Sequence, residues 1–409
     1  MSGSTAVLTQ KTIDTVKATV PLLEMKGTEI TSHFYSLLFS RCPQLLNIFN
    51  QTNQKKGRQP EALANSVIAA AKNIDQLGNI LPVVKQIAHK HRSLGVKPEH
   101  YPIVGENLLA AMKEVLGDSA TDDVLSAWEE AYNTIAEVFI SVESEMYEES
   151  EQQYGGWAGF RPFHVKKKVE ESDVITSFYL TPADGGALPD FEPGQYVTIK
   201  ADVPGEKWLH LRQYSLSAAP GLDYFRISVN RETASGPFPD GVVSTYFHNE
   251  LHEGDTIELT APAGEFTLNH SERPVVLLSG GVGLTPLMSM FQVLVRNQNR
   301  PVTFIQTAQH VGRHAFHEYT KKSAEQLKFV NYFAAHDKVE GWAVTDSYVQ
   351  KQGLIDADWL RPRVPGREAE YYFCGPLPFL KAMKRILLTE LQIPEEQIHF
   401  EFFGPASDI

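Results

Sequence analysis

The chain has 409 residues, 42% apolar and 21% charged, with a formal charge of -13 at pH 7 and two cysteines. That length exceeds one ordinary hydrophobic core and predicts two or three domains, while the acidic balance opposes nucleic-acid binding, which needs Lys and Arg gathered on one face. Cys42 and Cys374 are too few for a disulfide framework or a Cys-rich metal site, so any redox chemistry needs a bound cofactor. No apolar run approaches the roughly 20 residues that cross a bilayer. The start, Met1 to Thr5, lacks the basic and apolar regions of a signal peptide. A cytoplasmic protein without a membrane segment is expected, as a monomer with no obligate protein partner.

From Leu8 to Glu149 the apolar residues recur with helical period, interrupted by Pro43, Pro60, Pro82 and Pro98. Tyr35 falls on a predicted helix over Ile30 to Phe39. In a helix over 82–95, turning about 100° per residue, Val84, Ile87, His91 and Leu94 share one apolar stripe, so His91 points inward. His89 lies roughly 200° round the same helix and is expected to face solvent. In the last helix of this region Trp128, Tyr132, Ile135, Phe139 and Val142 mark the apolar side. Glu143 sits about 20° from Tyr132, which turns a carboxylate to the core, whereas Glu145 reads as solvated. A buried carboxylate needs a hydrogen-bond partner, and Tyr101, on a stripe with Val104 and Leu108, is the candidate. These residues alone are compatible with a structural hydrogen bond beside a space-filling histidine as well as with a metal ligand.

The acidic run Glu143 to Glu151 leads into Tyr154-Gly155-Gly156-Trp157-Ala158-Gly159, whose glycines end a helix and predict a linker over 150–160. Beyond it, short strand-like runs such as Val174 to Leu180, Tyr196 to Ile199 and Tyr224 to Val229 predict an antiparallel β-barrel. On one of its strands Arg212-Gln213-Tyr214-Ser215-Leu216 puts Arg212 and Tyr214 on one face. That pairing suits pyrophosphate and a flavin ring. The buried run Val275 to Leu278 then leads through Gly281-Val282-Gly283-Leu284-Thr285-Pro286 into a helix, the setting in which backbone amides receive phosphate. Pro286 stands where the third glycine of a dinucleotide fingerprint would fall. Further strands at Val302 to Ile305 and Tyr371 to Phe373 predict an α/β domain with a parallel sheet.

Cys42-Pro43 with Phe49, Gln59, and His91 through Glu99 resemble the globin pattern in its bacterial flavohemoglobin form. The barrel motif, the Gly281 to Pro286 loop, Cys374-Gly375-Pro376 and Glu401-Phe402-Phe403-Gly404-Pro405 resemble the ferredoxin-reductase family. The whole chain is therefore similar to a flavohemoglobin from end to end. The resemblance implies an all-α globin with heme b over 1–149, the linker, a β-barrel FAD domain over 161–268 and an α/β NAD(P) domain over 269–409. It makes His91 the iron ligand, Phe49 the wedge against the porphyrin, Tyr35 and Gln59 the gas-binding side, and Glu143 with Tyr101 the polarising pair behind His91. It assigns FAD to Tyr196, Arg212, Gln213, Tyr214 and Ser215, with Gly241, Val242, Val243 and Ser244 as a second phosphate-side loop. The nicotinamide cofactor falls to Gly281 through Pro286 and the Cys374 segment, with Phe403 against the flavin, Glu401 near the nicotinamide, and Lys90 with Glu401 tuning the heme and flavin potentials. The implied activity is a nitric oxide dioxygenase that converts NO and O2 to nitrate with electrons from NAD(P)H. The alternative is an NAD(P)H-dependent reductase of ferric chelates, quinones or peroxides carrying a gas-sensing or oxygen-carrying globin.

Overall fold

The computed structural model describes residues 8–49, 54, 57–236, 238–297, 300–337 and 347–404. Thr9 accepts a hydrogen bond from the Thr12 N–H at 3.1 Å and opens α1 (Gln10–Ala18). The helices α2 (Val20–Arg41), α3 (Arg58–Lys72), α4 (Leu81–Leu94), α5 (His100–Leu116) and α6 (Asp122–Gln152) follow. Their apolar faces meet around Val16, Leu23, Phe34, Leu38, Met112 and Trp128. Two glycines shape this domain. Gly95, at φ 75°, stops α4 one turn past His91, and the Val96 N–H returns to the His91 carbonyl at 2.9 Å. A Cβ at Gly105 would lie 2.5 Å from the Tyr132 ring, so glycine is what lets α5 and α6 close there.

The strands β1 (Arg161–Glu170), β2 (Ile175–Pro182), β3 (Tyr196–Ala201), β4 (His210–Ser215), β5 (Phe225–Asn230) and β6 (Thr256–Leu259) form an antiparallel sheet in the order β4-β3-β6-β1-β2-β5. Its ends meet: Leu216 bridges Ile227, and the Ser217 N–H donates to the Arg226 carbonyl at 2.7 Å. Closure removes the exposed edges and encloses Phe163, Phe178, Leu180, Val197 and Ile227. Helix α7 (Val242–Asn249) plugs one side through Val243 and Phe247.

The strands β7 (Val275–Gly280), β8 (Val302–Ala308), β9 (Val330–His336), β10 (Val349–Gln352), β11 (Glu370–Cys374) and β12 (Ile398–Glu401) form a parallel sheet in the order β10-β9-β8-β7-β11-β12. Helix α8 (Leu284–Asn297) covers one face of it with Leu287 and Phe291, while Leu380 and Met383 of α10 (Leu377–Arg385) cover the other; α9 (His317–Gln326) flanks β9. Burial on both faces is why β7 and β11 read as unbroken apolar runs. The strand order reverses between β7 and β11, the place where sheets of this kind form a crevice outside the carboxyl ends of the strands. Among the described residues no helix is long and apolar enough to cross a membrane.

Candidate functional site

His91 sits in the last turn of α4 and Glu143 in the middle of α6. The imidazole Nδ1 is 2.7 Å from Glu143 Oε1 and 3.2 Å from the Tyr101 hydroxyl, which itself donates to the same carboxylate oxygen at 2.6 Å. Glu143 is 2% exposed and its Oε2 has no partner among the described residues, so its charge is balanced through Oε1 by the imidazole and the phenol. Burial, followed by the Glu143 hydrogen bond and charge, pushes the Tyr101 phenol far above its ordinary range and keeps it a donor. Tyr132 fixes Tyr101 from behind by donating to its carbonyl at 2.6 Å, and Phe139 packs its ring 5.8 Å from the imidazole. With Nδ1 committed, Nε2 has no hydrogen bond among the described residues, and the His91 side chain is 32% exposed. An imidazole with one nitrogen held by a carboxylate and the other without a hydrogen bond among the described residues fits an iron ligand.

Tyr35, on α2, is 6% exposed, with Gln59 and Gln54 beside its hydroxyl. Burial raises its pKa well beyond the ordinary phenol range, so the hydroxyl stays protonated. Phe49 meets the Tyr35 ring edge-on at 5.7 Å and Phe39 at 5.4 Å, forming an aromatic wall beside the phenol. Gln54 was not expected from the sequence, where nothing separates it from the polar run around it.

On the barrel, β4 presents half-buried Arg212 and Tyr214 on one face as its period requires. The Arg212 guanidinium donates from Nη1 to the Leu211 carbonyl at 2.8 Å and has no carboxylate partner among the described residues. Its remaining N–H groups fit a pyrophosphate. Gly241 precedes α7 without a side-chain cap, which leaves the first backbone N–H groups of that helix, Val242 and Val243 among them, for an anion. The Ser244 hydroxyl is used inside the loop: it donates to the Gly241 carbonyl at 3.0 Å and accepts the Glu232 N–H at 3.1 Å. Tyr196 and Ser215 are paired in register on β3 and β4, and both are buried.

At the crevice of the parallel sheet, Gly281 to Pro286 turn from β7 into α8, and Cys374-Gly375-Pro376 leave β11. A Cβ at Gly283 would lie 2.2 Å from the Cys374 carbonyl oxygen, so the two loops touch backbone to backbone. The Cys374 thiol is fully buried, and burial raises its pKa. Such a thiol is a wall of the crevice and a poor nucleophile. Glu401 pairs with Cys374 across β11 and β12. Burial pushes its carboxyl up to about 7, with Lys90 opposing, and its Oε2 has no partner among the described residues. Lys90 donates from Nζ to the Gly404 carbonyl at 3.1 Å, which ties the heme-side helix to the carboxyl tail. Phe402 packs under the parallel sheet, and Phe403 is 45% exposed. Pro405 lies outside the described residues.

The expectation that His89 faces solvent is overturned. His89 is half-buried, its Nδ1 faces the Gly264 N–H at 3.4 Å, and burial followed by the Arg92 and Lys85 charges lowers its pKa to about 4. The side of α4 that an isolated globin would expose is covered by the barrel. Arg92 and Ser93 lie on that covered side, at 7% and 0% exposure, and were missed for the same reason.

Three family descriptions match in chain order: Globin over residues 32–139, Oxidoreductase FAD-binding domain over 162–268, and Oxidoreductase NAD-binding domain over 277–385. A flavohemoprotein of Halalkalibacterium halodurans is 55% identical over 408 residues, covering 99% of each chain. The chain belongs to the flavohemoprotein family. It is an oxidoreductase of globin, FAD-binding and NAD-binding modules, as the resemblance implied. The crystal structure of a flavohemoglobin from Malassezia yamatoensis with bound FAD and heme superimposes with a TM-score of 0.83 at 28% identity, covering 97% of this chain and all of that one. The flavohem-like FAD/NAD binding domain of nitric oxide dioxygenase from Vibrio cholerae covers 60% of this chain and 99% of its own length, at 36% identity and a TM-score of 0.55.

Proposed function

We propose that the chain is a nitric oxide dioxygenase, converting NO and O2 to nitrate with reducing equivalents from NAD(P)H. The observation that carries this reading is the pairing of His91, polarised by Glu143 and Tyr101, with a buried, protonated Tyr35. A heme on His91 would supply the iron for oxygen chemistry, and FAD on the barrel would split a hydride's two electrons into single ones. The chain does the rest by positioning. Glu143 accepts a hydrogen bond from the His91 Nδ1–H, which would make the other ring nitrogen more basic and favour electron donation toward an iron held there. Tyr35 offers a fixed O–H to charge that develops on oxygen, and the aromatic wall of Phe39 and Phe49 limits competing water. The Arg212 face and the start of α7 would hold the flavin's phosphates, and the Gly281 and Cys374 loops would admit the nicotinamide.

The domain division 1–149, 150–160, 161–268 and 269–409 belongs to the same reading, as do NO and O2 as substrates. The test is nitrate formation from NO and O2 by the reconstituted protein under NADH. Tyr35→Phe should speed O2 release and lower nitrate yield about tenfold or more, the scale for losing one aimed donor. Unchanged O2 release and nitrate yield would sink the distal role. NADH oxidation without nitrate in the intact protein would instead favour a plain reductase.

A further inference from the structure

One turn of α4 serves two domains. His91 turns to Glu143 inside the globin, whereas the residues on either side of it reach three segments of the reductase module, with His89 and Arg92 sharing the one at 262–264. The His89 Nδ1 faces the Gly264 N–H at 3.4 Å, Lys90 Nζ donates to the Gly404 carbonyl at 3.1 Å, and Arg92 Nη2 donates to the Pro262 carbonyl. Ser93, fully buried, accepts a hydrogen bond from Gln213 Nε2 at 2.8 Å, donates to the Lys90 carbonyl at 2.9 Å, and lies beside the Tyr196 hydroxyl. Arg92 also donates from Nη1 to Ser150 Oγ at 3.0 Å, on the last turns of α6.

We propose that Arg92 and Ser93 form a polar latch that fixes the iron-ligand helix against the FAD barrel, making them positioning residues for electron passage from flavin to heme. This rests on the heme and flavin assignments above. Interfaces between domains of one chain are ordinarily polar and mobile, so the separation of two redox centres held in different domains varies unless something pins it. Arg92 is a buried cation whose hydrogen bonds run to a carbonyl and a hydroxyl across two chain segments, with no carboxylate bridge among the described residues. Burying a charge in this way is costly unless its geometry is satisfied, so undocking the barrel, which removes the Pro262 carbonyl, would leave Arg92 part-satisfied. Ser93 extends the same logic to the flavin motif. Gln213, the neighbour of Arg212 and Tyr214 on β4, spends its amide on Ser93, two residues past the iron ligand, so a shift of β4 is felt at α4.

The test uses the full chain loaded with heme and FAD, with Ser93→Ala, Arg92→Leu and Arg92→Lys. NADH-driven ferricyanide reduction, which needs only the flavin, should stay within twofold of the parent in all three. Reduction of the heme Soret band by NADH should slow about tenfold or more in Ser93→Ala and Arg92→Leu, as misplacement of reacting groups does, and Arg92→Lys should recover part of the rate. Amide exchange in residues 89–96 should accelerate in the slow variants while the iron–histidine stretch stays unchanged, because the His91 contact with Glu143 is intact. Heme reduction at the parent rate with unchanged exchange would overturn the latch. A parent protein whose heme NADH never reduces would sink the electron-passage role and the proposed function together, and amide exchange would then still decide whether the latch holds the helix.

Discussion

Glu143 and Glu401 are both carboxylates in low-dielectric surroundings, yet their partners give them different work. Glu143 takes a proton donor on Oε1 from both His91 and Tyr101, so its charge is spread into the imidazole. Glu143→Gln keeps an acceptor oxygen and loses the charge. The iron–histidine stretch of the ferrous protein should fall in frequency and nitrate formation should drop about tenfold, the lower end for removing a supporting group behind a metal ligand; an identical Raman band would remove the role. Among the described residues no donor reaches Glu401 Oε2, and burial raises its carboxyl from its ordinary 4.5 to about 7. A raised acid is neutral below the folded value, so its cost to stability is absent at low pH and grows as pH rises from 4.5 through about 7. The rate of flavin reduction by NADH should therefore show an inflection near pH 7 that Glu401→Gln abolishes. A parent profile flat between pH 6 and 8, at about the same rate as the variant, would mean that Glu401 does not titrate in this range.

At the scale of elements, the crevice proposed for the nicotinamide depends on two loops in backbone contact. Gly283→Ala would drive a methyl group to 2.2 Å from the Cys374 carbonyl, and backbone at both sides cannot yield as a flexible side chain would. The KM for NADH should rise tenfold or more, about the cost of one displaced binding group, while FAD content stays at the parent level because the barrel is untouched. Titrating NADH against flavin bleaching separates the two, and normal nucleotide affinity would mean the loops move apart freely. Helix and strand periods made these elements legible in advance: the buried run into Gly281, the stop at Gly95 and the alternation on β4 all follow from local chain chemistry. The pairing of Gly283 with Cys374 did not, because it is a contact between residues nearly a hundred positions apart.

For the whole molecule, the docking of the barrel on α4 sets a pH dependence of its own. His89 is held neutral, with its pKa lowered from 6.5 to about 4. The unfolded chain then binds a proton that the docked fold refuses, so stability is complete above 6.5 and is lost as pH falls from 6.5 toward 4. Thermal melting over that window should show a smaller acid-induced drop in His89→Gln than in the parent. Equal drops would mean that the histidine is already hydrated at the interface.

Spacing determined that an all-α domain carries an inward histidine and an inward acid, and that a barrel and a parallel sheet follow with glycine-rich turns between strand and helix; the acid's place behind the histidine was implied by the resemblance. Those features arise from turn chemistry and from which face of one element is apolar, which neighbouring residues encode. Only the tertiary structure decided that Arg92 and Ser93 are buried and His89 half-buried, that Lys90 reaches Gly404, and that Glu401, paired with Cys374, has an Oε2 without a partner among the described residues. A polar helix face looks the same in sequence whether water or another domain covers it, because desolvation depends on what the rest of the chain brings there.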